Sequence, residues 1–375
     1  MPNSAAHKKD DFGYRLVVAG GGTGGHLFPG IAIAQAFKLR HPNNEVLFVN
    51  AGRPLEQRVL TDLGWPQRAI SIEGIKGRGR WHQIRAASKV PWAMWKAWRI
   101  LKAFQADVVL SVGGYSAGPA AAVATLCGIP TVLHEQNRLP GVTNRILGRL
   151  VNRIYLTFEE SAEHFDAAKV KVCGNPVRDE ILALSDQSTG PAEADRFTVL
   201  VVGGSQGAQA INQAVMEALP GLKGLEGLRW VHQTGPGDEE TVRAAYARSG
   251  IVATVQPFFS DMADVYRQAD ILICRAGATT VAEITVIGKA AVFVPFPFAA
   301  DDHQTRNAQA LVDAGAAEMI RQENFSGDVL VKLVKGYMEN PVLLKEMAAK
   351  ARALGRPEAA RAVVDDIYNL LTGNF

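Results

Sequence analysis

Two stretches decide how this chain reads: VVAGGGTGGH at residues 17–26 and VVGGSQGA at residues 201–208. Each runs from a β-branched apolar strand into clustered glycines and then into helix-forming sequence. A turn of this kind leaves backbone N–H groups facing outward at the start of a helix. The helix dipole adds positive potential there, so phosphate is favoured. The same opening in both halves predicts two tandem domains of parallel α/β build.

Working outward, short apolar strands alternate with helical stretches. Strands are expected at 15–19, 45–49, 107–112 and 131–134, then at 198–202, 229–233, 254–255, 271–274 and 291–294, with a helix over Gly30–Arg40. The seam is expected at Gly174-Asn175-Pro176-Val177-Arg178, before a polar stretch near 185–195. The boundaries are therefore 12–177 and 178–356. A terminal helix over 357–375 is expected to return onto the first domain.

At 375 residues, with 47% hydrophobic and 21% charged residues, the chain can bury two cores and is no disordered or fibrous sequence. The net charge of +3 demands no polyanionic partner. Cys127, Cys173 and Cys274 lack CxxC spacing and read as buried, reduced thiols, not a metal site. The polar start MPNSAAHKKDDFG has no apolar signal core. The apolar run 117–133 is broken by Gly118, Pro119, Gly128 and Pro130, so it reads as a packed helix plus a strand.

A third glycine loop, Gly113-Gly114-Tyr115-Ser116-Ala117-Gly118, joins the two opening ones. The formal G-x-G-x-x-G at Gly20, Gly22 and Gly25 is weak evidence for a dinucleotide. That reading wants an acid after the second strand, where Asn50 stands. No P-loop motif occurs. In CRAGATTVAE (274–283), Thr279 or Thr280 can cap a helix and Glu283 falls in its first turns, where a carboxylate can hold a ribose diol or simply suit the dipole. His134-Glu135-Gln136-Asn137 and Asp302-His303-Gln304-Thr305-Arg306-Asn307 place polar clusters after strands, where open α/β sheets bind ligands.

The ordered series GGTGGH, GGYSAGP, HEQN, GNPVR, GGSQGA, CRAGATTVAE and DDHQTRNA, spanning 21–308, resembles the MurG family of peptidoglycan N-acetylglucosaminyltransferases. The resemblance implies an α/β GT-B fold, two Rossmann-like domains with an interdomain cleft. It implies inverting transfer of GlcNAc from UDP-GlcNAc to lipid I. No D-x-D is present to chelate a metal-diphosphate, so neither metal nor cofactor is expected. UDP-GlcNAc would meet Thr23, Gly24, Gly25, Asn137, Arg178, Ser205, the backbone of Phe259, the segment Ala278, Thr279, Thr280, Val281, Ala282 and Glu283, and Gln304. His303 competes for the place of Gln304. Gly113, Gly114, Tyr115 and Ser116 would take the acceptor diphosphate, although Ala117 replaces the usual serine before the last glycine. His26 is the expected base, because histidine titrates near neutrality, with Glu135 orienting it or acting itself. Proteins of cell-wall synthesis or division are candidate partners.

Between Gly74 and Ala106 there is no acid, yet Lys76, Arg78, Arg80, Arg85, Lys89, Lys96, Arg99 and Lys102 occur with Trp81, Trp92, Trp95 and Trp98. On a helix, Met94, Trp98, Leu101, Ile100 and Phe104 form the expected core arc. Trp92 and Trp95 fall among Lys96, Arg99 and Lys102. Exposed indoles among cations suit an anionic membrane surface; the resemblance implies the cytoplasmic face of the bacterial inner membrane. Single-stranded nucleic acid is the disfavoured rival. The alternatives for the whole chain are another GT-B enzyme, including a UDP-GlcNAc 2-epimerase, or a non-enzymatic, nucleotide-regulated membrane-binding protein.

Overall fold

The computed structural model describes residues 13–70, 89–114, 116–185, 196–204 and 207–373. The chain divides into two units, Met1–Arg178 with Arg356–Phe375, and Asp179–Gly355.

The first unit runs β1 (Arg15–Gly20), α1 (Gly24–Arg40), β2 (Glu45–Asn50), α2 (Pro54–Asp62), β3 (Gln67–Ala69), α3 (Val90–Phe104), β4 (Val108–Gly113), α4 (Ala117–Leu126), β5 (Thr131–Glu135), α5 (Val142–Leu147), β6 (Arg153–Leu156) and β7 (Val170–Val172). Its sheet is parallel in the order β3-β2-β1-β4-β5-β6-β7. Both faces are covered, which is why the central strands are near-continuous apolar runs instead of alternating ones. Leu16 and Val18 pack with α1 on one face, and Val17 and Ala19 pack with α3 and α4 on the other. The C-terminal helix Ala359–Thr372 joins the first of these cores through Val363, Val364 and Ile367. Tyr368 stands edge-on to Tyr14 at 5.3 Å, and Asp366 accepts from Tyr155 at 3.0 Å.

The second unit runs α6 (Asp179–Ser185), β8 (Phe197–Val202), α7 (Gln209–Leu222), β9 (Leu228–Gln233), α8 (Glu239–Ser249), β10 (Val252–Gln256), α9 (Met262–Gln268), β11 (Ile271–Cys274), α10 (Ala278–Ile287), β12 (Ala290–Phe293), α11 (His303–Asp313), β13 (Glu318–Met319), α12 (Gly327–Glu339) and α13 (Pro341–Leu354). Its sheet order is β10-β9-β8-β11-β12-β13, again parallel throughout. In each unit the strand order reverses direction between the first and fourth strands. That switch point opens a crevice at the strands' carboxyl ends.

Three expectations need correcting. Helix α1 begins at Gly24, six residues before the expected start, and carries Pro29 inside it. Cys127 is exposed at the end of α4, whereas Cys173 and Cys274 are buried. Trp98 is not a core residue: it is 42% exposed. The buried stripe of α3 is Ala93, Ala97 and Leu101, with Met94, Ile100 and Phe104 at its margins. Ala93 and Ala97 share their core with Ala120 and Ala124 of α4. Two alanine faces approach too closely for an indole between them. Trp98, roughly 40° beyond Met94 on the helix, therefore turns outward.

Candidate functional site

The glycine loops lie at the two switch points. In the first unit, the loops after β1 and β4 pack on each other, and the Gly21 amide donates to the Gly113 carbonyl at 3.3 Å. A Cβ at Gly114 would stand 2.6 Å from the Gly21 carbonyl oxygen, so only glycine allows this approach. The first loop is held internally. The buried Glu56 accepts from the Gly22 amide and, through its other oxygen, from the Arg53 amide at 2.8 Å. One amide expected to meet phosphate is thus already taken by a carboxylate, which no sequence motif signalled.

Thr23 is the N-cap of α1, its carbonyl accepting from the amides of His26 and Leu27, and Gly24 and Gly25 form the first turn. The His26 ring lies against Gly113, where a Cβ would come within 3.2 Å of its Cε1 and Nδ1. Its Nδ1 is 2.9 Å from Gln136 Oε1. The residue that touches His26 is therefore Gln136, not the expected Glu135. The buried Glu135 carboxylate instead accepts four bonds: from the Asn137 amide at 2.9 Å and Nδ2 at 3.3 Å, the Gly141 amide at 3.1 Å, and Asn144 Nδ2 at 2.8 Å. It organises the loop that carries Asn137. Ser116 is buried at the start of α4, and Tyr115 lies outside the described residues.

His134 is fully buried, and its Nε2–H donates to the Gly174 carbonyl at 3.2 Å. Burial pushes its pKa down to about 4; the backbone bond partly opposes this and the neighbouring His26 adds to it. Arg178 belongs to this unit, with its guanidinium 4.3 Å from the centre of the Phe28 ring.

In the second unit, Ser205 and Gln206 lie outside the described residues. The buried Gln233 bridges two loops, donating to the Gly204 carbonyl at 3.1 Å and accepting from the Phe259 amide at 3.2 Å. Helix α10 begins at Ala278 with Gly277 as its N-cap and no side-chain cap bond. Neither Thr279 nor Thr280 caps it, as had been expected; both lie in its first turn. Ala278, Thr279, Val281, Ala282 and Glu283 are buried along it. Tyr266 donates to Glu283 Oε2 at 2.8 Å.

Arg275 ties the end of β11 to the next loop through the carbonyls of Val294 (2.8 Å) and Pro295 (3.1 Å), and burial lowers its pKa to about 10. Gln304 accepts from the Phe296 amide at 2.9 Å, and His303 Nδ1–H donates to the Ala300 carbonyl at 2.8 Å. Asp301 and Asp302, just before them, both hold positive φ (53° and 52°).

Away from these loops, α3 presents Trp92, Trp95 and Trp98 to solvent. Trp92 and Trp95 stack with centroids 4.6 Å apart. Each indole carries the cation four residues on: Lys96 at 5.8 Å, Arg99 at 4.9 Å and Lys102 at 5.1 Å. Lys76, Arg78, Arg80, Trp81 and Arg85 lie outside the described residues. Among the described residues no group of His, Cys, Asp and Glu could hold a metal ion, and no helix is long and apolar enough to cross a membrane.

Residues 16–156 match the glycosyltransferase family 28 N-terminal domain, and residues 198–363 match its C-terminal domain. The UDP-N-acetylglucosamine--N-acetylmuramyl-(pentapeptide) pyrophosphoryl-undecaprenol N-acetylglucosamine transferase of Syntrophus aciditrophicus is 49% identical, over 95% of this chain and 99% of that protein. The crystal structure of Acinetobacter baumannii MurG is 37% identical with a TM-score of 0.73, covering 94% and 99% of the two chains. A UDP-GlcNAc 2-epimerase from Neisseria meningitidis, bound to UDP-GlcNAc, shares the fold at 15% identity and a TM-score of 0.65, over 94% of this chain and 99% of that one.

Proposed function

The chain belongs to glycosyltransferase family 28, and on that premise we propose that it transfers N-acetylglucosamine from UDP-GlcNAc to the 4-hydroxyl of the muramyl sugar of undecaprenyl-diphospho-MurNAc-pentapeptide. The product is lipid II, formed with inversion at the anomeric carbon. The relationship to an enzyme named for this reaction, running nearly end to end in both chains, carries the reading.

UDP-GlcNAc is assigned to the switch point of the second unit. The Gly203–Gly204 loop with Ser205 and the N-terminus of α10 meet the diphosphate, where fixed amides and the helix dipole stabilise the charge that grows on departing UDP. Arg178 adds a cation. Glu283 takes the ribose diol, the Phe259 segment the uracil, and Asn137 and Gln304 the sugar. Gly113, Gly114, Tyr115 and Ser116 take the acceptor diphosphate. His26 removes the proton from the attacking hydroxyl as the new bond forms and the bond to UDP breaks. Glu135, with four donors on its oxygens, suits a loop organiser better than a second base.

The exposed indole–cation series of α3 supports docking on anionic lipid, where each base contributes about 1 kcal/mol. This fits a peripheral enzyme on the cytoplasmic face of the membrane that holds its acceptor. Incubation with UDP-GlcNAc and a short-chain lipid I analogue tests the reading. Acceptor-dependent UDP release is expected. UDP release or sugar epimerisation without acceptor would favour the epimerase alternative.

A further inference from the structure

We infer that Gln136 is a positioning residue that fixes the tautomer of His26 and makes Nε2 its proton-accepting nitrogen. The inference rests on the reading of His26 as the base.

Gln136 is 1% exposed at the end of β5. Its Nε2 faces two carbonyls, Val112 at 2.9 Å and His134 at 3.4 Å. Carbonyl oxygens only accept, so the amide nitrogen must point at them, because the opposite orientation would set oxygen against oxygen. The amide oxygen is thereby left facing His26 Nδ1 at 2.9 Å. That oxygen also only accepts. Nδ1 must therefore carry the hydrogen, and the neutral ring keeps its lone pair on Nε2. Unconstrained neutral histidine prefers the opposite tautomer, so the protein imposes this one. Gly113 completes the arrangement by leaving room for the ring beside Nδ1.

The chain that results is Val112 carbonyl, Gln136 amide, His26 imidazole. It does the orienting that a carboxylate performs in Ser-His-Asp sites. An amide, however, brings no charge to the ring. It fixes the tautomer of His26 through a neutral acceptor alone.

The test uses the full chain labelled with 15N-histidine, read by long-range proton–nitrogen correlation at a pH where the ring is neutral, with His26 identified by the signals lost in His26→Gln. The expected wild-type pattern is a protonated Nδ1 and an unprotonated Nε2. Gln136→Met keeps length but offers only a weak thioether acceptor, so the signals should move toward the Nε2–H form. Turnover should fall by roughly 10- to 100-fold, reaching at most the lower end of the 10²–10⁴-fold that a positioned base supplies, with KM for UDP-GlcNAc unchanged. Gln136→Glu should restore the Nδ1–H pattern, because its protonated acid can donate to the Val112 carbonyl, as the amide does, and turn its other oxygen to Nδ1. A wild-type His26 with its hydrogen on Nε2 overturns the inference whatever the kinetics show, as does an unmoved tautomer in Gln136→Met. If the tautomer moves and turnover does not, Gln136 keeps its role and the base assignment of His26 falls. Should Gln136→Met fail to fold, the wild-type and Gln136→Glu spectra still decide the matter.

Discussion

Tyr266 on α9 donates its hydroxyl to Glu283 Oε2 on α10 at 2.8 Å, and both residues are buried. The tyrosine fixes the rotamer of the one carboxylate placed after the CRAGATT turn. Glu283→Ala should weaken UDP binding by about 1.5–3 kcal/mol per charge-assisted bond lost. Tyr266→Phe should cost less, about 0.5–1.5 kcal/mol, because the acid remains while its orientation loosens. Titration calorimetry with UDP checks both. Unchanged affinity in Glu283→Ala would remove the ribose assignment.

Gly113→Ala should damage turnover more than stability. Its φ of +90° strains any side chain, at a cost of about 1–3 kcal/mol. The new methyl would also stand 3.2 Å from the His26 ring and 3.4 Å from Asn144 Nδ2. A displaced ring cannot keep its bond to Gln136, so kcat should drop while UDP affinity, assigned to the second unit, holds. Full activity in a folded Gly113→Ala protein would show that the ring position does not matter.

Much of this was legible because buried parallel strands announce themselves as apolar runs and the glycine loops mark their carboxyl ends. The strands β3, β6, β7 and β13 were missed: QRA, RIYL, VKV and EM are too short or too polar to stand out. Helix α1 hid its start because Pro29 reads as a boundary, yet the helix begins one and a half turns earlier. At the sites, the motif residues were visible but their partners were not. Glu56, Tyr266 and Gln233 act across 34, 17 and 29 residues of sequence, to Gly22, Glu283 and Gly204. No local pattern encodes such pairs. Gln136 stood inside HEQN, but choosing between it and Glu135 needed the distance to His26.

His134 should make the chain acid-sensitive. Burial holds its folded pKa near 4 against 6.5 for the exposed ring, so the folded state favours the neutral form. The unfolded chain takes up a proton first as pH falls. The stability linked to His134 is therefore intact above about 6.5 and is lost as pH falls toward 4, by about 3 kcal/mol in all. Melting curves at pH 7, 5.5 and 4 check this against His134→Gln, whose decline should be shallower. Parallel declines in the two proteins would assign the sensitivity elsewhere. His232, lowered to about 3 by burial in the second unit, contributes with the same sign in both proteins and so cancels in the comparison.

Trp92, Trp95 and Trp98 are 58%, 42% and 42% exposed, so changing all three to alanine opens no cavity. Thermal stability and UDP affinity should stay near those of the parent chain. Leu101→Ala is the contrasting change: Leu101 is 2% exposed on the buried stripe, and its truncation should cost about 2–5 kcal/mol. Binding to anionic vesicles should weaken sharply in the triple variant, because the indoles supply the interfacial contact and also hold Lys96, Arg99 and Lys102 beside them. Replacing the three cations by glutamine should reduce binding as well, and the salt dependence of docking should flatten, since their attraction acts through a screened surface potential. Vesicle sedimentation at low and high salt separates the two contributions. Binding that survives both sets of changes would clear α3 of the docking role and assign it to another surface.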